Sequence, residues 1–136
     1  MILCCGRRLA VLCTLALLLG PFGCGHRGDE RFIPSNETAR QALETVLANL
    51  ERGQPADAGT TSPVIYLVDS QLSKPGQKLV RHEIVKEEEE EGNTIFSVRL
   101  FLKGAKREQV ARYVVRGRDP LRVYREEDDS AAASGM

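Results

Sequence analysis

Few side chains in this chain could carry chemistry, and Cys24 stands out among them by position. It follows two arginines, Arg7 and Arg8, an apolar run from Leu9 to Leu19, and Gly20-Pro21-Phe22-Gly23. A cationic start, a short apolar centre and a small residue before the cut are the marks of a secretory signal. A cysteine just after the cut adds lipid modification of its thiol. Gly23 suits the position before a lipidated cysteine, whereas Pro21 and Phe22 depart from the usual leucine and small residue. As a helix, the run from Leu9 to Leu19 would reach ~16 Å, against a hydrocarbon core of about 30 Å. It therefore reads as a cleaved signal over residues 1–23. Ordinary signal cleavage and an uncleaved anchor are the alternatives.

Downstream of Cys24, acid–base chemistry has two candidates, Asp69 and His82, and nothing in the sequence pairs them. His26 falls in a polar, Gly-rich stretch. One cysteine and two isolated histidines fall short of the roughly four ligands of a structural metal site, so no metal and no cofactor is expected. No nucleophile triad, phosphate loop or HExxH helix is written in the chain. Between residues 99 and 125, nine basic side chains face only Glu108 and Asp119. Strand alternation puts Arg99, Arg112 and Arg116 on one sheet face. That face either binds an anionic or protein partner, or is neutralised by Glu87–Glu91 and by the acidic run Glu126–Asp129. The five carboxylates Glu87–Glu91 lack the spacing and glycine of a calcium loop. They read as a solvated hairpin end that blocks edge pairing.

Removing residues 1–23 takes away two of the 19 basic residues and none of the 19 acidic ones, leaving 113 residues with 17 and 19. That is one small, nearly neutral domain, with no global charge to attract nucleic acid. Tryptophan is absent, which disfavours stacking of sugars or bases. Residues 24–34 read as a tether. Residues 127–136, acidic and then Ala-rich, read as a disordered tail.

The elements that would position these residues are one helix and then strands. Ser35 is an N-cap, and Ala39, Ala42, Leu43, Val46, Leu47 and Leu50 form one apolar stripe, so residues 36–52 are expected to be helical. The capping role also accounts for the Asn36-Glu37-Thr38 sequon. Residues 54–62 read as a loop and 69–77 as a turn. Strands are expected at 64–68, 78–87, 94–103, 109–116 and 121–125, with a hairpin turn at Gly92-Asn93. Phe96, Val98, Leu100 and Leu102 share one face of their strand. The fold class is α+β, a single N-terminal amphipathic helix on a curled antiparallel sheet of four to five strands over residues 35–126.

This order of elements, with Val64-Ile65-Tyr66-Leu67-Val68-Asp69, Gly76, Leu79, Glu83-Ile84, Val98-Arg99-Leu100 and Tyr113-Val114-Val115, resembles the cystatin-like and NTF2-like α+β folds. It also resembles small uncharacterised lipoproteins of planctomycete-type bacteria. The resemblance implies a lipid-anchored domain of the bacterial cell envelope, facing the periplasm and tied to the membrane through Cys24. Three roles follow as expectations. The first is a non-enzymatic binding module. The second is an NTF2-like pocket using Asp69 or His82. The third is an envelope component that self-associates through the exposed edge of its last strand.

Overall fold

A computed structural model describes residues 32–135. The expected signal segment 1–23, Cys24 and residues 25–31 lie outside the described residues. The order is α1 (Asn36–Glu51), β1 (Ile65–Val68), β2 (Leu79–Glu90), β3 (Asn93–Leu102), β4 (Gln109–Gly117), β5 (Leu121–Arg125) and α2 (Glu126–Ser134).

Ser35 caps α1, its side-chain oxygen accepting the Thr38 N–H. Ala39, Ala42, Leu43, Val46 and Leu47 are all buried, because 3.6 residues per turn keeps them on one stripe. The same stripe carries a buried amide. Asn49 donates from Nδ2 to the carbonyls of Ala56 and Ala58 at 2.9 and 3.0 Å, folding the following loop back onto the helix.

The five strands form one sheet in the order β1-β5-β4-β3-β2. β2, β3, β4 and β5 pair antiparallel in sequence order, but β1 pairs parallel with β5, Ile65 opposite Leu121 and Val68 opposite Tyr124. The sheet is therefore mixed, not purely antiparallel. The last strand is not an edge either. β5 is enclosed between β1 and β4, so the expected self-association along its exposed edge has no edge to use. The chain between the two parallel strands runs through β2, β3 and β4, while α1 lies across one face and touches every strand.

That inner face is packed tight. Phe96, Val98 and Leu100 of β3, Ala111, Tyr113 and Val115 of β4, and Leu121 and Val123 of β5 close against Leu43, Val46 and Leu47. Each large side chain of this kind contributes ~1.5–3 kcal/mol when buried. The β2–β3 hairpin closes through two residues, Glu91 and Gly92, with φ of 51° and 80°. Two positive φ values make the tight turn whose twist matches the strands. The turn sits one residue earlier than Gly92-Asn93, and Asn93 already belongs to β3. β2 consequently runs on through the glutamates to Glu90 rather than ending at Glu87.

Within the expected tail of residues 127–136, residues 127–134 are helical rather than disordered, and Met136 lies outside the described residues. Glu126–Ser134 is helical and doubles back over the outer sheet face. Four carboxylates in its first turn sit at the positive end of the helix dipole, and the alanines that follow are the best helix formers. The arginines of β4 and β5 supply the countercharge.

Candidate functional site

Asp69, just past the end of β1, is fully buried. Its Oδ2 accepts the Tyr113 hydroxyl at 2.6 Å, and Arg125 Nη1 reaches Oδ1 and Oδ2 at 3.2 and 3.4 Å. Oδ1 also accepts the backbone N–H groups of Gln71 and Leu72, both at 2.9 Å. Aspartate side chains favour such turns because they can stand in for a backbone carbonyl two or three residues back. Burial first, then the Asp69 charge and hydrogen bond, push the Tyr113 phenol well above its ordinary range. Burial acts against the Arg125 charge, but Asp69 and Tyr113 outweigh it and hold its pKa above the usual value. Both carboxylate oxygens of Asp69 are engaged, and they tie the end of β1 to β4 and β5.

His82 stands on β2. Its Nδ1 lies 2.5 Å from Glu51 Oε1, and its backbone N–H donates to the same oxygen at 2.6 Å. The C-terminal turn of α1 is thereby pinned to an edge strand. Asp69 follows one edge strand and His82 stands on the other, with β5, β4 and β3 between them, and each is engaged locally. They do not form one pocket.

The outer sheet face gathers the three arginines expected there. Ser97 pairs with Arg112 and Arg99 with Val110, so Arg99, Arg112 and Arg116 share that face. Arg112 is the hub. Its Nη1 makes two hydrogen bonds to Glu126 at 2.9 and 3.0 Å, and its Nη2 lies 3.2 Å from Glu90 and 3.8 Å from Glu88. Partial desolvation opposes its charge, but Glu126, then Glu90 and Glu88, raise its pKa above the ordinary value. Arg116 meets Asp129 at 2.9 Å. Arg99 lies between Glu83 and Glu108 at 3.5 and 3.3 Å, and the Glu108 contact is too poorly aligned for a hydrogen bond from Nε.

Hairpin and tail carboxylates thus both meet this face. The glutamate run divides by alternation, Glu87 reaching Arg40 of α1 at 3.3 Å and Glu88 and Glu90 reaching Arg112. Lys86 holds the Glu88 carboxyl below its ordinary range, by hydrogen bond and then by charge.

Two cavities of about 390 Å³ open outside the core. One lies under α2, with Ile95 and Val114 as floor and Glu90, Asn93, Arg116 and Asp129 around it. Within it the Arg116 Nε and Asn93 Oδ1 atoms are buried without a hydrogen-bond partner. The other lies where α1 ends, beside Leu50, Leu72 and Leu79.

Among the described residues no cluster of three or more His, Cys, Asp or Glu side chains could hold a metal ion, and no helix is long and apolar enough to cross a membrane. Arg125 and α2 are what sequence reasoning missed. Arg125 was legible only as one more basic residue, and nothing local marks it as the partner of Asp69. No protein family, no curated protein and no solved structure matches this chain.

Proposed function

We propose that this protein is a non-enzymatic binding module of the bacterial cell envelope, held at the membrane by lipid on Cys24 and presenting its outer sheet face to a partner. The observation that carries the reading is the fate of its two chemistry-capable side chains. Asp69 and His82 sit on opposite sheet edges, and each is bound by its own neighbours. The space between α1 and the sheet, where an NTF2-like pocket would open, is filled by Tyr113, Phe96, Leu43, Leu47 and Leu100. A filled interior favours a cystatin-like arrangement, one helix across a curled sheet, over a pocket protein.

Phe32, the first described residue, is held to the sheet. The Phe32 carbonyl accepts the Gly117 N–H at 2.8 Å, and the Arg118 guanidinium stacks over the Phe32 ring 4.0 Å from its centroid. Seven residues lie between Cys24 and Phe32, so eight residue steps give a reach of at most ~28 Å.

Radiolabelled palmitate fed to cells expressing the wild type and Cys24→Ala tests the anchor. Label is expected in the wild type alone, and label that persists in the variant refutes the site. Crosslinking in native membranes tests the binding role, with partners expected from residues on the outer face. A hydrolase or isomerase activity abolished by Asp69→Ala or His82→Ala in a folded protein would overturn the non-enzymatic reading.

A further inference from the structure

The outer face already holds an occupant, α2, and the way that occupant is held indicates what else would fit. α2 has no apolar stripe. Its first turn is four carboxylates, and each finds a separate partner on the body. Glu126 meets Arg112, Glu127 meets Arg125 Nε at 3.3 Å, Asp128 accepts the Ser70 N–H at 2.8 Å, and Asp129 meets Arg116. The side chains in the Arg112–Glu126 and Arg116–Asp129 pairs are 27–37 % exposed. Ion pairs this open to water are weak and salt-sensitive. α2 also follows β5 without a loop, Arg125 being both the last strand residue and the residue before the helix. Turning the chain at that one junction would bare Arg112, Arg116 and the Ile95–Val114 floor together.

Resting on the reading of this face as a binding surface, we propose that it takes an acidic segment of a partner protein, and that α2 is the chain's own competitor for it. A protein segment fits better than a lipid surface for a reason of charge. Glu88, Glu90 and Glu91 stand along one side of the face. They would repel a continuous anionic membrane, but leave room for a discrete segment whose carboxylates reach Arg112 and Arg116. The apolar floor gives such a segment a seat for one side chain, which a free phosphate would not use.

The test uses the purified full chain and a fluorescent peptide with the sequence of residues 126–135 as the acidic probe. Glu126→Gln with Asp129→Asn loosens α2 and leaves both arginines in place. This double variant is expected to bind the probe about tenfold more tightly than the wild type, as release of two surface ion pairs allows. Adding Arg112→Gln and Arg116→Gln should abolish that binding. A chain ending at Arg125 provides a second form with the face bared, and it should bind at least as well if circular dichroism shows it folded. Equal binding by wild type and double variant overturns the proposal. So does the absence of probe binding by folded variants, or binding to phosphatidylglycerol vesicles in place of the peptide. Peptide binding does not depend on lipid at Cys24 or on a captured partner. Its failure therefore removes this inference alone, while failed labelling or crosslinking removes the reading beneath it.

Discussion

The Tyr113 hydroxyl donates to Asp69 Oδ2 at 2.6 Å, across 44 residues of sequence and with both side chains shut away from water. This bond joins the end of an edge strand to the centre of the sheet. Arg125 completes it with its own side chain only 9 % exposed. A buried charge pair adds little net stability over an apolar replacement, but breaking it by removing one partner is expensive. Asp69→Ala should therefore cost about 3–5 kcal/mol, because Arg125 would keep only the exposed Glu127 as a counterion. Tyr113→Phe removes one hydrogen bond to a charged acceptor and should cost about 1.5–3 kcal/mol. Urea denaturation of the two variants checks the order.

The same pair sets an alkaline limit. Folding raises the Tyr113 pKa, through burial and then through the Asp69 charge and hydrogen bond. In the unfolded chain the phenol ionises near its ordinary pKa of about 10. Below that pH both states hold the proton and the full stability is present. Above it the unfolded state releases the proton first, so stability falls as pH rises. In a spectrophotometric titration, one of the three tyrosines should ionise only as the protein unfolds, and Tyr113→Phe should remove that step. Ionisation of Tyr113 in a still-folded protein, followed by its ring NMR signals, would contradict the burial argument.

The elements built on local periodicity were legible. The α1 stripe and the alternation of β3 and β4 place Leu43, Val46, Leu47, Phe96, Val98 and Tyr113 on the inner face without reference to the rest of the chain. What was not legible depends on distant partners. The parallel pairing of Ile65 with Leu121 leaves no local pattern, because a short strand reads the same beside either kind of neighbour. The Asp69–Arg125 pair spans 56 residues and the His82–Glu51 pair spans 31. α2 was hidden for a different reason. A helix is read from its apolar stripe, and Glu126–Ser134 has none, since it docks through charge on a face that exists only once β4 and β5 have paired.

Glu51 makes a prediction opposite to catalysis. Its Oε1 accepts both the ring and the backbone N–H of His82, so its role is to hold α1 against β2. Glu51→Ala strands a partly buried backbone donor and should cost about 1–2 kcal/mol. His82→Ala leaves that backbone bond intact and should cost less. A residue serving as a base would show the reverse pattern, with little stability change and loss of an activity. Thermal denaturation of both variants, with amide exchange at His82, separates the two cases.

The hold on α2 should respond to salt more steeply than the hold on α1, because different forces dock the two helices. α1 buries an apolar stripe that includes Leu43, Val46 and Leu47, and apolar burial does not weaken as salt rises. α2 is held by Arg112–Glu126, Arg116–Asp129 and Arg125–Glu127. Raising ionic strength from ~0.1 M to ~1 M shortens the Debye length from about 10 Å to about 3 Å, which screens the exposed pairs first. Amide exchange within Glu126–Ser134 should therefore accelerate severalfold over that range, while amides of Asn36–Glu51 keep their rates. Arg112→Gln at low salt should reproduce part of the acceleration, since Arg112 contacts both α2 and the β2 hairpin. Equal salt response in the two helices would mean that α2 is held by packing, and the arginine face would then lose its claim to be separable from its own tail.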